Sequence, residues 1–150
     1  MRSVLVNRVD EFLRILSYDK GEWREFWERM KRRFNPLLDG YEVCTGLDWR
    51  ALESIRRMDL DRFRRDWEQV GAELRRRAGY EIRTRSEKFQ LSKRDFSVML
   101  FSGFGTRECC VVDGKREKVI LVDVFAVWKE GLLKLPEVVL RCVKNFRGEG

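Results

Sequence analysis

The first half of the chain has apolar residues at intervals of three and four positions, the pattern of amphipathic helices. Gly40 and Gly46 predict an irregular connection after the second helix, and Gly79 is predicted to end the last helix of this half. The predicted helices cover approximately residues 8–17, 20–34, 48–55 and 59–79.

After Ser92 the pattern changes to short apolar runs between turn signals, which predicts strands. The run FSVMLF is predicted to be a buried strand that ends at the turn of Gly103 and Gly105. The runs CCVV and KVILVDV flank an Asp-Gly pair, which is typical of a hairpin. Pro136 suits the first turn of a final helix. We therefore predict an α+β fold: N-terminal helices, a small antiparallel sheet with a hairpin, and a C-terminal helix.

The length of the chain predicts a single domain over residues 1–150. A chain of 150 residues, 43% of them hydrophobic, buries about 70% of its unfolded surface on folding and so forms a sizeable core. We expect a helical part at about residues 8–79 and a sheet with its helix at about 95–147. Because no apolar run approaches the ~18 residues of a membrane span and the N-terminus lacks a signal-peptide pattern, we expect a cytoplasmic protein without membrane contact.

The composition excludes several kinds of chemistry. The chain contains no His, the side chain that most often acts as a base at neutral pH or binds transition metals. Its four cysteines form no C-x-x-C pair, so we expect no metal and no cofactor. Thiols inside cells are usually reduced and buried as small apolar side chains, which is our expectation for these four. They are Cys44, Cys109, Cys110 and Cys142.

Positive charge is concentrated between residues 75 and 94. The chain has a net charge of +7, and this segment has eight basic residues against two acids, which leaves +1 for the other residues. Basic residues with interleaved aromatic side chains, here Tyr80 and Phe89, are typical of nucleic-acid binding, and a solvated connection is the alternative. The predicted nucleic-acid-binding residues are Arg75, Arg76, Arg77, Tyr80, Arg83, Arg85, Lys88, Lys93 and Arg94.

Asp123 lies inside the apolar run VILVDVFAVW and has two alternative interpretations. A carboxylate in such a run must either face solvent or find a partner. Either Asp123 is on an edge strand and faces water, or it shares a buried face with Leu121 and Phe125 and pairs with a side chain such as Arg.

Three segments follow one another in the second half: VMLFSGFG, a hairpin around VDGKREKVILVDVF, and LPEVVLRCVKN. In this order they resemble the predicted zinc-dependent proteases of the gluzincin-like kind, over about residues 20–146. The resemblance implies a strand ending in a Gly-x-Gly turn, a hairpin and a helix with a His-Glu-x-x-His motif. The positions of that motif hold Arg141, Cys142 and Asn145 in this chain.

These three residues cannot perform the chemistry that the resemblance implies. Arg does not deprotonate to bind Zn²⁺, and Cys cannot replace the carboxylate that activates a metal-bound water. We therefore predict a non-enzymatic domain, a metal-free relative of those proteases, that acts through contacts with a protein partner. The alternative is nucleic-acid binding through residues 75–94.

Overall fold

The computed structural model describes residues 5–89 and 96–146, except for the side chains of residues 85–89. It has the predicted α+β fold. The strands are β1 (Leu5–Asn7), β2 (Phe96–Phe101), β3 (Cys109–Asp113) and β4 (Lys118–Asp123). The α-helices are α1 (Val9–Leu13), α2 (Trp23–Arg33), α3 (Leu37–Thr45), α4 (Arg50–Glu53), α5 (Arg57–Phe89), α6 (Val124–Gly131) and α7 (Leu135–Phe146). Short 3₁₀ segments cover Arg14–Ser17, Lys20–Glu22 and Leu132–Lys134.

The strands form a mixed sheet in the order β1-β2-β4-β3. The predicted hairpin is confirmed, because β3 and β4 pair antiparallel. The prediction that the sheet is antiparallel is wrong for the other pairs, since β2 is parallel to both β1 and β4. The reason is the path of the chain. After β2 it crosses to the edge, forms β3, and returns as β4 beside β2 in the same direction.

Strand β1 was not predicted from the sequence. Its three residues pair with residues 98–100 of β2, and the Arg8 N–H continues the pairing by donating to the Leu100 carbonyl at 2.8 Å. A strand of three residues is too short to show the alternation by which strands are recognised. Its pairing places segments from both halves of the chain in one sheet.

Helices cover both faces of the sheet. On one face α1, α2 and α3 pack their aromatic side chains against the end of β2. Five rings lie there with neighbouring centroids 4.8–6.4 Å apart. Trp27 of α2 is only 1% exposed, and its Nε1 donates to Glu42 Oε2 at 2.9 Å. On the other face α7 packs on β4, and α5 packs on α7. The five rings belong to Phe12, Trp27, Tyr41, Phe101 and Phe104.

The predicted irregular connection around Gly40 is wrong, because this segment is the helix α3. A Cβ built on Gly40 would lie 2.9 Å from the Cβ of Val112, so the glycine lets α3 approach β3 closely. Gly46 does end the helix: its φ of 71° is in the left-handed region, which favours glycine at the end of a helix.

The prediction that Gly79 ends a helix is also wrong, because α5 continues to Phe89. The helical part of the chain therefore extends ten residues beyond its predicted end. Gly79 is buried, and a Cβ at this position would lie 3.8 Å from the Leu5 side chain of β1. A glycine inside a helix costs about 1 kcal/mol relative to alanine, and here the position packs against the sheet.

The expectation of four reduced cysteines is wrong for this structure, because Cys44 is bonded to Cys110 and Cys109 to Cys142. Adjacent residues of a strand point to opposite faces. Cys110 therefore meets α3 on one face of the sheet, and Cys109 meets α7 on the other. The two disulfides link the edge strand β3 to both helical layers.

Candidate functional site

Asp123 is the last residue of β4, is 1% exposed, and caps the N-terminus of α6. Its Oδ1 accepts hydrogen bonds from the backbone N–H of Gly103 at 2.8 Å and of Phe125 at 3.1 Å. Its Oδ2 accepts from the N–H of Gly105 at 2.7 Å and from the Tyr41 hydroxyl at 3.3 Å. One carboxylate thus joins the glycine turn, the start of α6 and helix α3.

Of the two interpretations of Asp123 from the sequence, the edge strand facing water is wrong, whereas burial with partners is confirmed. Strand β4 is not an edge strand, because it lies between β2 and β3. The buried partners of Asp123 are backbone N–H groups and Tyr41 rather than an Arg. The Phe104 N–H completes the arrangement by donating to the Tyr41 hydroxyl at 2.9 Å. The N–H groups of residues 103–105 are therefore used inside the protein.

Burial determines the titration of both groups. It raises the pKa of Asp123 above the ordinary 3.8, and the hydrogen bonds from Gly103 and Gly105 oppose this shift only in part. Burial and the nearby Asp123 carboxylate raise the pKa of Tyr41. The hydroxyl therefore stays protonated and donates a hydrogen bond to Asp123. Because Asp123 is closed to solvent and its oxygens are occupied, the group holds the turn in place and cannot reach a dissolved substrate.

The positions that the resemblance implies for a metal motif lie on α7 and do not converge. Arg141 is exposed and forms an ion pair with Glu108. Cys142 is buried in its disulfide, and Asn145 is exposed. Arg141 lines a cleft of about 380 Å³ beside the glycine turn, together with Lys129 and other residues of α6.

Among the described side chains, those of residues 5–84 and 96–146, no group of three or more Cys, Asp or Glu is arranged to hold a metal ion. The sulfur atoms of all four cysteines form disulfides. Asp123, the deeply buried carboxylate nearest to the glycine turn, already accepts hydrogen bonds on both oxygens.

The described part of the basic segment, residues 75–89, lies on the C-terminal half of α5, as part of one continuous helix. Leu74, Ala78 and Ile82 are buried at intervals of four residues and define the inner face of this half. On the remaining surface the basic side chains and Tyr80 are exposed, and we call these residues the basic face of α5; the half-buried Glu81 lies among them. The described residues of this face are Arg75, Arg76, Arg77, Tyr80 and Arg83.

Ion pairing differs along α5. In its N-terminal half Arg64 and Arg65 both pair with Asp61, at 2.5 and 3.0 Å. On the basic face Arg76 pairs with Glu73 at 2.6 Å, which raises the pKa of Arg76 and lowers that of Glu73. Within the described part of the chain, the other arginines of the basic face form no ion pair. These are Arg75, Arg77 and Arg83.

Tyr80 is the aromatic side chain of the basic face and is 58% exposed. It forms neither a ring contact nor a hydrogen bond with the side chains that the structure describes. Arg77 precedes it by three residues and Arg83 follows it by three, so the three side chains form one diagonal row on the helix surface. Residues 77 and 83 are about 9 Å apart along the helix axis.

The other predicted nucleic-acid-binding residues are only partly covered by the structure. Arg85 and Lys88 belong to the last turns of α5, but their side chains are not among those described. Lys93 and Arg94 lie outside the described residues. Residues 75–89 are helical rather than an irregular connection, and the described side chains of the basic face are solvated, as the alternative interpretation expects.

Although α5 has 33 residues, its exposed face is charged. No helix in the described ranges is long and apolar enough to cross a membrane.

No protein-family model, curated protein or solved structure matches this chain.

Proposed function

We propose that this protein is a non-catalytic binding domain that holds a nucleic acid on the basic face of α5. One observation supports the proposal above all: three exposed arginines that form no ion pair with a described residue lie on the same helix half as an exposed tyrosine. These residues are Arg75, Arg77, Arg83 and Tyr80.

The physical basis is the phosphate backbone. Arg binds phosphate through two parallel N–H groups, and each neutralised phosphate releases counterions to the solution. An arginine already paired with a carboxylate would have to exchange one anion for another. No described carboxylate forms an ion pair with Arg75, Arg77 or Arg83, although Glu73 interacts electrostatically with Arg77. Arg64 and Arg65, in contrast, share Asp61.

The test is binding of a labelled oligonucleotide measured over a series of salt concentrations. The variant Arg75→Glu, Arg77→Glu, Arg83→Glu reverses three charges and breaks none of the described ion pairs. Glu is as good a helix former as Arg, so α5 should persist. We expect the variant to lose most of its affinity. The slope of log K against log salt should become shallower by about 2 for a single strand if all three residues contact phosphate.

A matched control makes the same charge change on other surfaces. Arg14, Arg32 and Arg116 are exposed and form no ion pair with described residues, so their replacement by Glu changes the net charge equally. This control should retain the slope of the wild type. An equal loss in both variants would show that net charge alone causes the binding. Absence of binding by the wild type at about 50 mM salt would end the proposal.

The absence of catalysis is part of this proposal and rests on α7. Arg141, Cys142 and Asn145 occupy the positions at which the resemblance to zinc proteases implies a metal motif, and Cys142 is bonded to Cys109. We therefore propose a metal-free relative of those proteins. Elemental analysis of the purified protein should find no stoichiometric zinc, and one tightly bound zinc per chain would contradict the proposal.

A cytoplasmic location belongs to the same proposal, because a nucleic-acid ligand is available there. A cytoplasmic location requires that the two disulfides persist in a reducing compartment. Disulfides are rare in cytosolic proteins except in those of hyperthermophiles. Fractionation of the native cells, with the protein detected by antibody, tests the location directly. Recovery outside the cytoplasm would contradict it.

Contact with another protein is the second candidate function, and an exposed apolar groove favours it. Leu133 is 70% exposed at the edge of a groove of about 480 Å³ between α5 and α6, which Trp128 and Val70 also line. Large exposed apolar side chains that border a groove are typical of protein contact sites. Sedimentation of the wild type and of Leu133→Ser tests whether a second copy of the chain is the partner. Concentration-dependent association that Leu133→Ser abolishes would support it, and a monomer at all concentrations would exclude self-association.

A further inference from the structure

We infer that the nucleic acid is single-stranded and that one of its bases stacks on Tyr80 between phosphates held by Arg77 and Arg83. This inference rests on the proposed function and specifies the ligand of the same site. It starts from the diagonal row of these three side chains on α5.

The tyrosine is available for stacking. It is 58% exposed on the surface opposite the buried side chains of Ala78 and Ile82. No described aromatic ring or cation covers its face, although other aromatic side chains of this protein do have such neighbours. Trp49, for example, has Arg24 at 4.5 Å and Arg50 at 5.3 Å from its ring centroid.

The arginines on either side are placed to hold the backbone of the same strand. Residues 77 and 83 are each three positions from Tyr80 and about 9 Å apart along the axis, with the ring between them. Neither arginine has an ion pair with a described residue. A base on the ring and a phosphate on each side match the aromatic and cationic groups that single-strand-binding proteins combine.

A duplex would not use this arrangement equally well. Its bases are stacked on one another, so their faces are not accessible to a ring on a helix surface, and only edges and backbone are exposed. The arginines could still contact a duplex backbone, but Tyr80 would contribute no stacking. The row therefore predicts a preference for unpaired bases, whose faces are free.

The experiment compares Tyr80→Ala and Tyr80→Phe on a labelled oligothymidine strand and on a duplex of the same length. We expect the wild type to prefer the single strand. Tyr80→Ala should weaken single-strand binding by about 5- to 150-fold, the range for one stacked base. Tyr80→Phe keeps the ring and should remain within about twofold of the wild type.

The salt dependence of binding distinguishes the contribution of the Tyr80 ring from that of the arginine charges. Tyr80→Ala should leave the salt slope unchanged, because it removes no phosphate contact. Arg77→Gln with Arg83→Gln should make the slope shallower by about 1.4. Thermal melts should show that the variants fold, as expected for exposed positions.

Two results would overturn the inference while the proposed function stands: equal or tighter binding of the duplex, or unchanged single-strand affinity in Tyr80→Ala. Equal losses in Tyr80→Ala and Tyr80→Phe would also overturn it, because the hydroxyl rather than the ring would then be responsible. Failure of the wild type to bind either oligonucleotide would instead overturn the proposed function.

Discussion

At the scale of single residues, Asp123 shows how one buried carboxyl group can join a turn, a helix start and a neighbouring helix. Chain turns and helix starts leave backbone N–H groups without partners, and a buried N–H group must be paired. The carboxylate of Asp123 accepts hydrogen bonds from such groups of Gly103, Gly105 and Phe125. The sequence indicated that Asp123 was unusual, because it stands in an apolar run. Backbone donors carry no signature in a sequence, so its partners could not be predicted.

Replacement of Asp123 by Asn tests this arrangement. The amide NH₂ group must face either the N–H of Gly103 or that of Gly105, since each carboxylate oxygen accepts from one of them. A buried donor without an acceptor costs about 1–3 kcal/mol. We expect Asp123→Asn to lower the free energy of unfolding by about 2–4 kcal/mol, measured by urea titration. A loss below about 0.5 kcal/mol would show that the turn does not depend on this carboxylate.

The free energy of unfolding of the wild type and of Asp123→Asn, measured as a function of pH, tests the titration of Asp123. Burial raises the pKa of Asp123 above 3.8, so the native state keeps the proton to a higher pH than the unfolded state does. Its contribution to stability is then complete below the unfolded pKa and decreases as the pH rises through the native pKa. The advantage of the wild type over Asp123→Asn should therefore shrink from pH 3 upward. An advantage that grows with pH would show that the N–H donors outweigh burial.

At the scale of elements, the sequence predicted those that have a clear period and missed those that depend on neighbours. The spacing of apolar residues correctly indicated α1, α2, α4 and much of α5, and the Asp-Gly turn indicated the hairpin. Helix α3 could not be predicted because a glycine such as Gly40 usually indicates a break. In the fold, this glycine instead leaves space for Val112. Helix α6 was missed because its sequence VFAVW is apolar on all sides. The count of charges identifies the basic residues of α5. Because Gly79 indicates the end of a helix, the sequence did not predict that these residues share one.

The variant Gly40→Ala tests whether this glycine serves packing. Ala should favour the helix by about 1 kcal/mol, but its Cβ would lie 2.9 Å from Val112 Cβ, and such overpacking costs about 1–3 kcal/mol. We expect net destabilisation in the wild-type background and stabilisation in a Val112→Gly background, which removes both the Cβ and the Cγ1 that lie within 3.0 Å. Thermal and urea melts of the wild type, the two single variants and the double variant measure the coupling between positions 40 and 112.

Gly21→Ala is the matched control for Gly40→Ala, because no atom lies within 4 Å of a Cβ built on Gly21. This substitution should be neutral or stabilising by up to about 1 kcal/mol. If Gly40→Ala stabilises the protein as Gly21→Ala does, the close approach of α3 and β3 is not a constraint.

At the scale of the whole molecule, the disulfides connect layers that the sequence could not place relative to one another. The adjacency of Cys109 and Cys110 correctly indicated that they face opposite sides of a strand. Side chains on opposite faces are poorly placed to share a metal ion. Their adjacency does not, however, identify the cysteine that each one bonds. The partners come from α3 and α7, which are 66 and 33 residues away in the chain. Parallel pairing of β1 and β4 with β2 is non-local in the same way, so it was equally inaccessible to local patterns.

Both disulfides should be present in the purified protein. A thiol assay on protein purified without reductant and denatured should detect no free thiols, and peptide mapping should find Cys44 with Cys110 and Cys109 with Cys142. Each disulfide closes a long loop, and such bonds typically contribute about 2–4 kcal/mol. The pair Cys44→Ser, Cys110→Ser should therefore lower the Tm by roughly 5–15 °C. Replacing Cys109 and Cys142 should have a similar effect, because each removes the link between β3 and one helical layer. If the purified protein instead contains four thiols and reductant leaves its Tm unchanged, the layers are held by core packing alone.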